Sequence, residues 1–266
     1  MDIKILGVRI NNIDMSETIA KINEFFDNDK LNYIYTPNPE IVMRAGRDDE
    51  FKEIINSASL NLCDGIGLMI ASKLKKKPLK SRVTGYDTSI KILELMNEKG
   101  LSLFLLGAKP GIAEKAIEKI NHDYPNIVVA GYNNGYFKGS HNGNSSCDEE
   151  EALIKKINDS KADAIFVGMG AGYQEKFIYY NKDKINSRLA IANGGVIDVL
   201  AGNVKIAPAF IRKIGMEWLY RLIKEPKRFK RQLDIPRFLM KIIFTKNAVE
   251  YINWNRRLIW TLNKRQ

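Results

Sequence analysis

Six short apolar runs, each ending in turn-forming residues and separated from the next by helical periodicity, constrain this chain more than any other feature. They are "NYIYT" (32–36), "LNLC" (60–63), "LSLFLLG" (101–107), "NIVVAGY" (126–132), "DAIFVGMG" (163–170) and "RLAIANGG" (188–195). Each is rich in branched or aromatic residues and reads as a buried strand. Residues 16–27, 39–56, 65–73, 87–99, 110–122, 149–159 and 173–184 read as helices between them. Pro110 suits the first position of its helix, and Asp148 suits the cap of the helix that follows it. Strands spaced by helices pair in parallel, so the expected fold is α/β: a Rossmann-like, doubly wound, mostly parallel sheet covered on both faces. Ligands bind such sheets beyond the carboxyl ends of the strands, which directs attention to the residues after each run. Residues 133–147, polar and glycine-rich, read as a surface loop.

The texture changes after residue 204, which sets a boundary between an α/β catalytic domain (1–204) and a helical appendage (205–266). The net charge is +11, yet residues 1–204 hold 26 Lys/Arg against 27 Asp/Glu, while residues 205–266 hold 16 against 4. The stretch "EWLYRLIKEPKRFKR" (217–231) alone has six cations, two acids, a proline and three aromatics. The appendage reads as basic amphipathic helices punctuated by Pro208, Pro226 and Pro236, with no strand-like run. Charge so unevenly placed marks a surface for a polyanion: nucleic acid, anionic lipid, or phosphate enclosed in a pocket. Cys63 and Cys147 make no disulfide framework and fit a reducing interior. The N-terminus lacks a signal-peptide pattern, and no run approaches the roughly 18–20 apolar residues that span a bilayer. A membrane-bound form of this chain is expected to lie on the bilayer.

Several strand ends carry candidate chemistry. Thr36 and Asn38 offer polar groups after the first run, with Pro39 opening a helix. Asp64 follows the second run, placed either to cap a helix or to act as a general base. Arg82 lies in a glycine-containing loop, where its planar fork suits phosphate. "LLGAKPG" (105–111) is a strand, turn and helix start able to hold a nucleotide's phosphate or ribose, and "VGMGAGYQEKF" (167–177), with Gln174 and Glu175, is built alike. The P-loop pattern is absent and the glycine spacing does not match the dinucleotide fingerprint. His122 and His141 have no ligand partner at useful spacing, no Asp-x-Asp follows a strand, and no Ser–His or Cys–His nucleophile pair stands out.

In order, "TPNPE", "CDGIG", "SRVTGYD", "LLGAKPG", "GMGAGYQEKF", "NGGVIDVLAG" and "APAFIRKIGMEWLYRLIKEPKRFKR" resemble the WecG/TagA/CpsF family of bacterial glycosyltransferases, glycosyltransferase family 26, over about residues 4–231. The resemblance implies metal-independent, inverting transfer of a sugar from a UDP-sugar donor to a polyprenyl-diphosphate-linked saccharide, in teichoic acid or other surface-polysaccharide synthesis. It implies no cofactor. The donor it favours is UDP-N-acetylmannosamine; UDP-N-acetylmannosaminuronic acid and UDP-glucose remain open. By resemblance, Asp64 is the catalytic base, Arg82 and Gln174 are catalytic-site residues, and Thr36 and Asn38 line the site. Arg221, Arg228 and Arg231 are appendage cations that close over it at the membrane. The chain is then expected at the inner face of the cell membrane, cytoplasmic and peripheral. One motif departs: the family's usual Pro-x-Gln-Glu stands here as Gly172, Tyr173, Gln174 and Glu175. Without a metal, arginines and helix N-termini have to hold the leaving diphosphate's charge. The rival class is a nucleotide-binding module whose tail binds nucleic acid; against it, the tail's aromatics sit among aliphatics at helical spacing, and no nucleic-acid-binding signature is present. Apolar appendage faces are also able to pack against a second subunit.

Overall fold

Alternation of side chains across the strands sets the architecture. The computed structural model of the protein describes residues 1–145 and 147–252, with the side chain of Arg228 outside the description. Its strands are β1 (Ile3–Ile5), β2 (Val8–Ile10), β3 (Asn32–Tyr35), β4 (Leu60–Asn61), β5 (Ser102–Gly107), β6 (Val128–Asn133), β7 (Ala164–Gly168), β8 (Leu189–Ala192) and β9 (Val249–Tyr251). Six of them form one parallel sheet in the order β4-β3-β8-β7-β5-β6. Tyr33, Tyr35, Phe104, Leu106, Ile165 and Val167 enter one core. Their neighbours Ile34, Leu103, Leu105, Ala164 and Phe166 enter the other. A sheet apolar on both faces needs helices on both, as the sequence predicts.

The helices are α1 (Met15–Phe25), α2 (Pro39–Ala45), α3 (Asp49–Ser57), α4 (Ile66–Leu74), α5 (Gly85–Lys99), α6 (Ile112–Asp123), α7 (Asp148–Ser160), α8 (Tyr173–Asn181) and α9 (Val196–Leu200). After them come α10 (Ala209–Lys213), α11 (Glu217–Lys224), α12 (Phe229–Gln232) and α13 (Asp234–Phe244). The first core is closed by α2, α3, α4, α7, α8 and α13, the second by α1, α5, α6 and α9.

Several expectations are corrected. The run at 126–132 is no buried strand: β6 pairs only with β5 at the sheet edge, and Val128 is largely exposed. The helix expected over 39–56 breaks in two, because Asp48 caps α3 by accepting from the Phe51 N–H at 2.9 Å. Pro110 lies in a turn, and α6 begins two residues later behind Gly111. Asp148 is the first residue of α7, and Cys147 takes the cap position.

The largest correction lies after residue 204, where β9 is a strand. It pairs antiparallel with β1, which pairs with β2, giving a second sheet of three strands. β1 and β2 are joined by Leu6 and Gly7, at φ 48° and 86°, the left-handed pair that a tight hairpin requires. Helix α13 packs on the body with Phe238 and Ile242 fully buried. The Arg47 guanidinium grips Asp234 with two hydrogen bonds, 2.9 and 2.6 Å. The tail expected beyond these elements, residues 253–266, lies outside the described residues.

Candidate active site

The carboxyl ends of β3, β4 and β8 open into a cleft of about 260 Å³, roofed by α11 and α12. Asn38 caps α2 by accepting from the Ile41 N–H at 3.0 Å, with Pro39 at the helix's first position. This cap fixes the chain between Thr36 and Glu40, and all three of Thr36, Asn38 and Glu40 line the cleft. Thr36 is buried, its hydroxyl 3.4 Å from the Ala192 carbonyl on the neighbouring strand.

Asp64 follows β4, its backbone N–H bonded to the Pro37 carbonyl at 3.1 Å. It does not cap α4: Gly65 holds that position and no side chain bonds the helix end. The carboxylate is left for the cleft. Burial pushes its pKa up to about 6, with Glu217 acting the same way and Arg221, Arg82 and the Gly85 N–H opposing. An aspartate in that range is ionised near neutrality yet basic enough to accept a proton.

Cations surround it. Arg82 lines the cleft and donates to the Arg212 carbonyl at 2.9 Å. Arg212 in turn pairs with Asp87 at 2.8 Å, joining α10 to the first turn of α5. Arg221 pairs with Glu217 at 2.7 Å, one turn back on α11. Arg231 reaches from α12 to Glu40 on α2 at 3.0 Å, so an ion pair ties the roof to the wall. Arg228 belongs to the turn Pro226–Arg228, and its side chain lies outside the description.

Gln174 is buried at the start of α8. Its amide donates to Glu175 at 3.0 Å and accepts from the Gly194 N–H at 3.1 Å, bracing the loops after β7 and β8 together. Burial raises the Glu175 pKa, opposed by Gln174, the Gly172 N–H and Arg44. Thr36, Asn38, Asp64, Arg82, Gln174, Arg221 and Arg231 therefore share one cleft.

Sequence reading did not single out Glu217, Trp218, Thr84 or Asn193 as site residues, yet they line the same cleft. Glu217 was legible as the acid four residues before Arg221, and Asn193 as the first residue after β8.

A second hollow of about 810 Å³ lies beyond β5 and β7 and meets the first at Gly170, Gly194 and Gly195. Here the connections diverge, from β5 outward to β6 and from β7 inward to β8, the usual place for a ligand in such sheets. Gly107 holds φ 140°, and a Cβ on it would lie 2.3 Å from the Gly168 carbonyl oxygen. Lys109, Tyr136, Lys138, His141, Tyr173 and Asp198 line this hollow. Residues 133–147 are thus more than a surface connection, for His141 is buried against Phe137 and Phe177. Burial holds the His141 pKa below its usual value.

Among the described residues no group of three or more His, Cys, Asp and Glu is placed to hold a metal ion, and no helix is long and apolar enough to cross a membrane. Cys63 and Cys147 are free thiols. Burial first, and then neighbouring Asp64, push the Cys63 thiol up to about 12, which makes it a poor nucleophile.

The model of the family described as "Glycosyl transferase WecG/TagA/CpsF family" matches residues 3–250. The chain is 34% identical over 233 residues to a Bacillus subtilis (strain 168) protein, covering 87% of each chain. It is 35% identical over 250 residues to a Staphylococcus aureus (strain MRSA252) protein, covering 93% of this chain and 94% of the other. A Bacillus spizizenii protein is 35% identical over 224 residues, 84% and 83% of the two chains. All three are named N-acetylglucosaminyldiphosphoundecaprenol N-acetyl-beta-D-mannosaminyltransferase.

Proposed function

The chain belongs to the WecG/TagA/CpsF glycosyl transferase family, and from that premise we propose that it moves N-acetylmannosamine from its UDP conjugate to a polyprenyl-diphosphate-linked N-acetylglucosamine. Asp64 carries this reading: a carboxylate at a strand end, in a cleft whose other charged lining includes three arginines. In the reaction the acceptor hydroxyl attacks the anomeric carbon from the face opposite the nucleotide. Asp64 takes the hydroxyl proton, the new C–O bond forms with inversion, and the bond to UDP breaks. Arg82, Arg221 and Arg231 supply positive field for the phosphates, which lets the step run without a metal ion. For Arg221 and Arg231 this means exchanging Glu217 and Glu40 for phosphate oxygens. Thr36 and Asn38 contact substrate, while Gln174 holds the loops of the two hollows in register. The second hollow, with Lys109 at the turn before α6, suits the nucleotide. The product serves teichoic acid or a related surface polymer, and the enzyme works at the inner face of the membrane, where the basic tail meets anionic lipid.

The test is a transfer assay without divalent metal, using UDP-N-acetylmannosamine and a short-chain polyprenyl-diphosphate-N-acetylglucosamine, with wild type and Asp64→Asn. UDP release that needs both acceptor and Asp64 is expected. Wild-type turnover by Asp64→Asn would remove Asp64 as the base, and silence from the wild type with this donor would overturn the assignment of the sugar.

A further inference from the structure

Two helices from distant parts of the chain lie side by side and leave one apolar, acid-free ridge on the surface. On α4, Leu68 and Ala71 are buried, while Ile70 and Leu74, four residues apart, are 40% and 55% exposed. On α13, Phe238 and Ile242 are buried, while Met240, Ile243 and Phe244 are 53%, 59% and 84% exposed. Residues three and four apart share a helix face, so each helix shows one buried and one bare apolar stripe. The Lys75 ammonium donates to the Ile243 carbonyl at 3.2 Å, which brings the C-terminal ends of the two helices together. Their N-terminal ends also meet, since Ile66, Gly67 and Ile235 all line the catalytic cleft.

The charge around this ridge is mostly positive: Asp234, at the start of α13, is buried and paired with Arg47, and Glu250 lies beyond the end of the helix. Residues 65–86 contain six Lys or Arg and no Asp or Glu, and residues 235–249 contain three and none. Lys73, Lys76, Lys241 and Lys246 are exposed along its flanks. Bare apolar side chains set within lysines, with no carboxylate to repel phosphate, match the interface of a bilayer that contains anionic lipid. A nucleic-acid surface would not expose Leu74, Ile243 and Phe244, and a second protein subunit would have to bring carboxylates to match the lysines.

We propose that the outer faces of α4 and α13 form the seat of this protein on an anionic lipid bilayer. Half of that seat belongs to the catalytic body rather than to the basic tail. The inference rests on the lipid-linked acceptor of the proposed function and adds to it an orientation. Ile70, Leu74, Met240, Ile243 and Phe244 sink to the acyl boundary, and the lysines meet the headgroups. Because both helices begin at the cleft, a protein seated on this ridge holds the mouth of the cleft at the bilayer surface.

The experiment is vesicle sedimentation of the full chain with phosphatidylglycerol-containing vesicles and with pure phosphatidylcholine vesicles. It compares wild type, Leu74→Gln/Phe244→Gln, and Phe210→Gln/Ile223→Gln, the last altering exposed apolar residues of α10 and α11. Wild type should bind the anionic vesicles, and binding should fall with salt. The Leu74/Phe244 variant should lose at least about tenfold in affinity, the loss expected when two inserted side chains become polar. The Phe210/Ile223 variant should lose less. The Leu74/Phe244 variant should keep the wild-type melting temperature and full transfer to the short-chain acceptor, which separates loss of the seat from loss of the fold. Unchanged vesicle affinity in the Leu74/Phe244 variant would overturn the proposal. So would a wild type that ignores anionic vesicles, or a dimer in sedimentation velocity that the same double substitution splits into monomers. Silence in the transfer assay together with normal, ridge-dependent vesicle binding would instead count against the proposed reaction alone.

Discussion

At the scale of single residues, Asp64 is held where a carboxylate is uncomfortable. Its pKa stands at about 6 against an ordinary value of 3.8, chiefly because the cleft takes it out of water. Two consequences follow with opposite signs for activity and stability. A base must be ionised, so kcat/KM should fall about tenfold per unit as pH drops below about 6. A pH–rate profile of the wild type checks this, and a limb near pH 4 would mean the cleft does not perturb the group. For stability, the folded state binds this proton more tightly than the unfolded chain. The contribution of Asp64 is therefore most favourable below the unfolded value and is lost as pH rises through about 6. A rise from 3.8 to about 6 corresponds to at most about 3 kcal/mol. Asp64→Asn should therefore be inactive and yet more stable than wild type by about 1–3 kcal/mol at pH 8, raising the melting temperature by a few degrees. A lower melting temperature would show that the ionised form is well accommodated. The position of Asp64 was legible from the sequence, because any residue just past a short apolar run must lie at the sheet's rim. Glu217 was legible only as the acid one turn before Arg221; its place beside Asp64 was not, since only folding brings residue 217 to residue 64.

At the scale of elements, the loop before α8 shows how a local departure is absorbed. Where the resemblance implies a proline, this chain has Gly172, which holds φ 95°. A proline ring fixes φ near −65°, so this loop has a conformation that proline cannot adopt. The Gly172 N–H also donates to the buried Glu175 carboxylate, a bond that proline would abolish. A Cβ at this position would lie 1.8 Å from the Arg44 guanidinium, whose Nη1 donates to the Ala171 carbonyl at 3.1 Å. Arg44 occupies the space that glycine leaves and ties α2 to the loop. Gly172→Pro should cost about 3 kcal/mol or more through strain and an under-bonded buried carboxylate. It should also lower transfer activity, because Gln174 loses its hold on Gly194. Thermal melting and the transfer assay check both, and a variant with wild-type values would show that the loop reshapes freely. The same scale explains what the sequence hid. The central strands of the parallel sheet, β3, β5, β7 and β8, are apolar on both faces and stand out as runs. β1, β2 and β9 span three residues each, and so short an alternation barely differs from chance. The hairpin still left a sign in "IKILGVRI", where Gly7 sits between two alternating triplets.

At the scale of the whole molecule, the change of composition at residue 204 does not coincide with an edge of the packed core. Residues past it contribute Phe238, Ile242, Ala248 and Val249 to the first core, and β9 completes the sheet on β1. Composition registers charge, and the cations of α13, Arg237 and Lys241, lie on its exposed side beside the apolar stripe. The inner face of that helix is as apolar as the helices of the body. Deleting residues 205–266 should therefore do more than remove Arg221 and Arg231 from the cleft. Fully burying a large apolar side chain contributes about 1.5–3 kcal/mol. Losing Phe238, Ile242 and Val249 together, with Ile3 and Ile5 uncovered, approaches the 5–15 kcal/mol by which a typical domain is stable. The 1–204 fragment should then be aggregated or lack a cooperative melt. Phe238→Ala alone should cost about 3–5 kcal/mol. A chain ending at residue 252 retains α13, β9 and every described contact, so it should melt cooperatively like the full chain. Circular dichroism melts of the three chains decide the matter, read beside the transfer assay. A 1–204 fragment with the full-length melting temperature would show that α13 and β9 are accessory to the fold. In that case loss of activity in the fragment would report on the arginine roof alone.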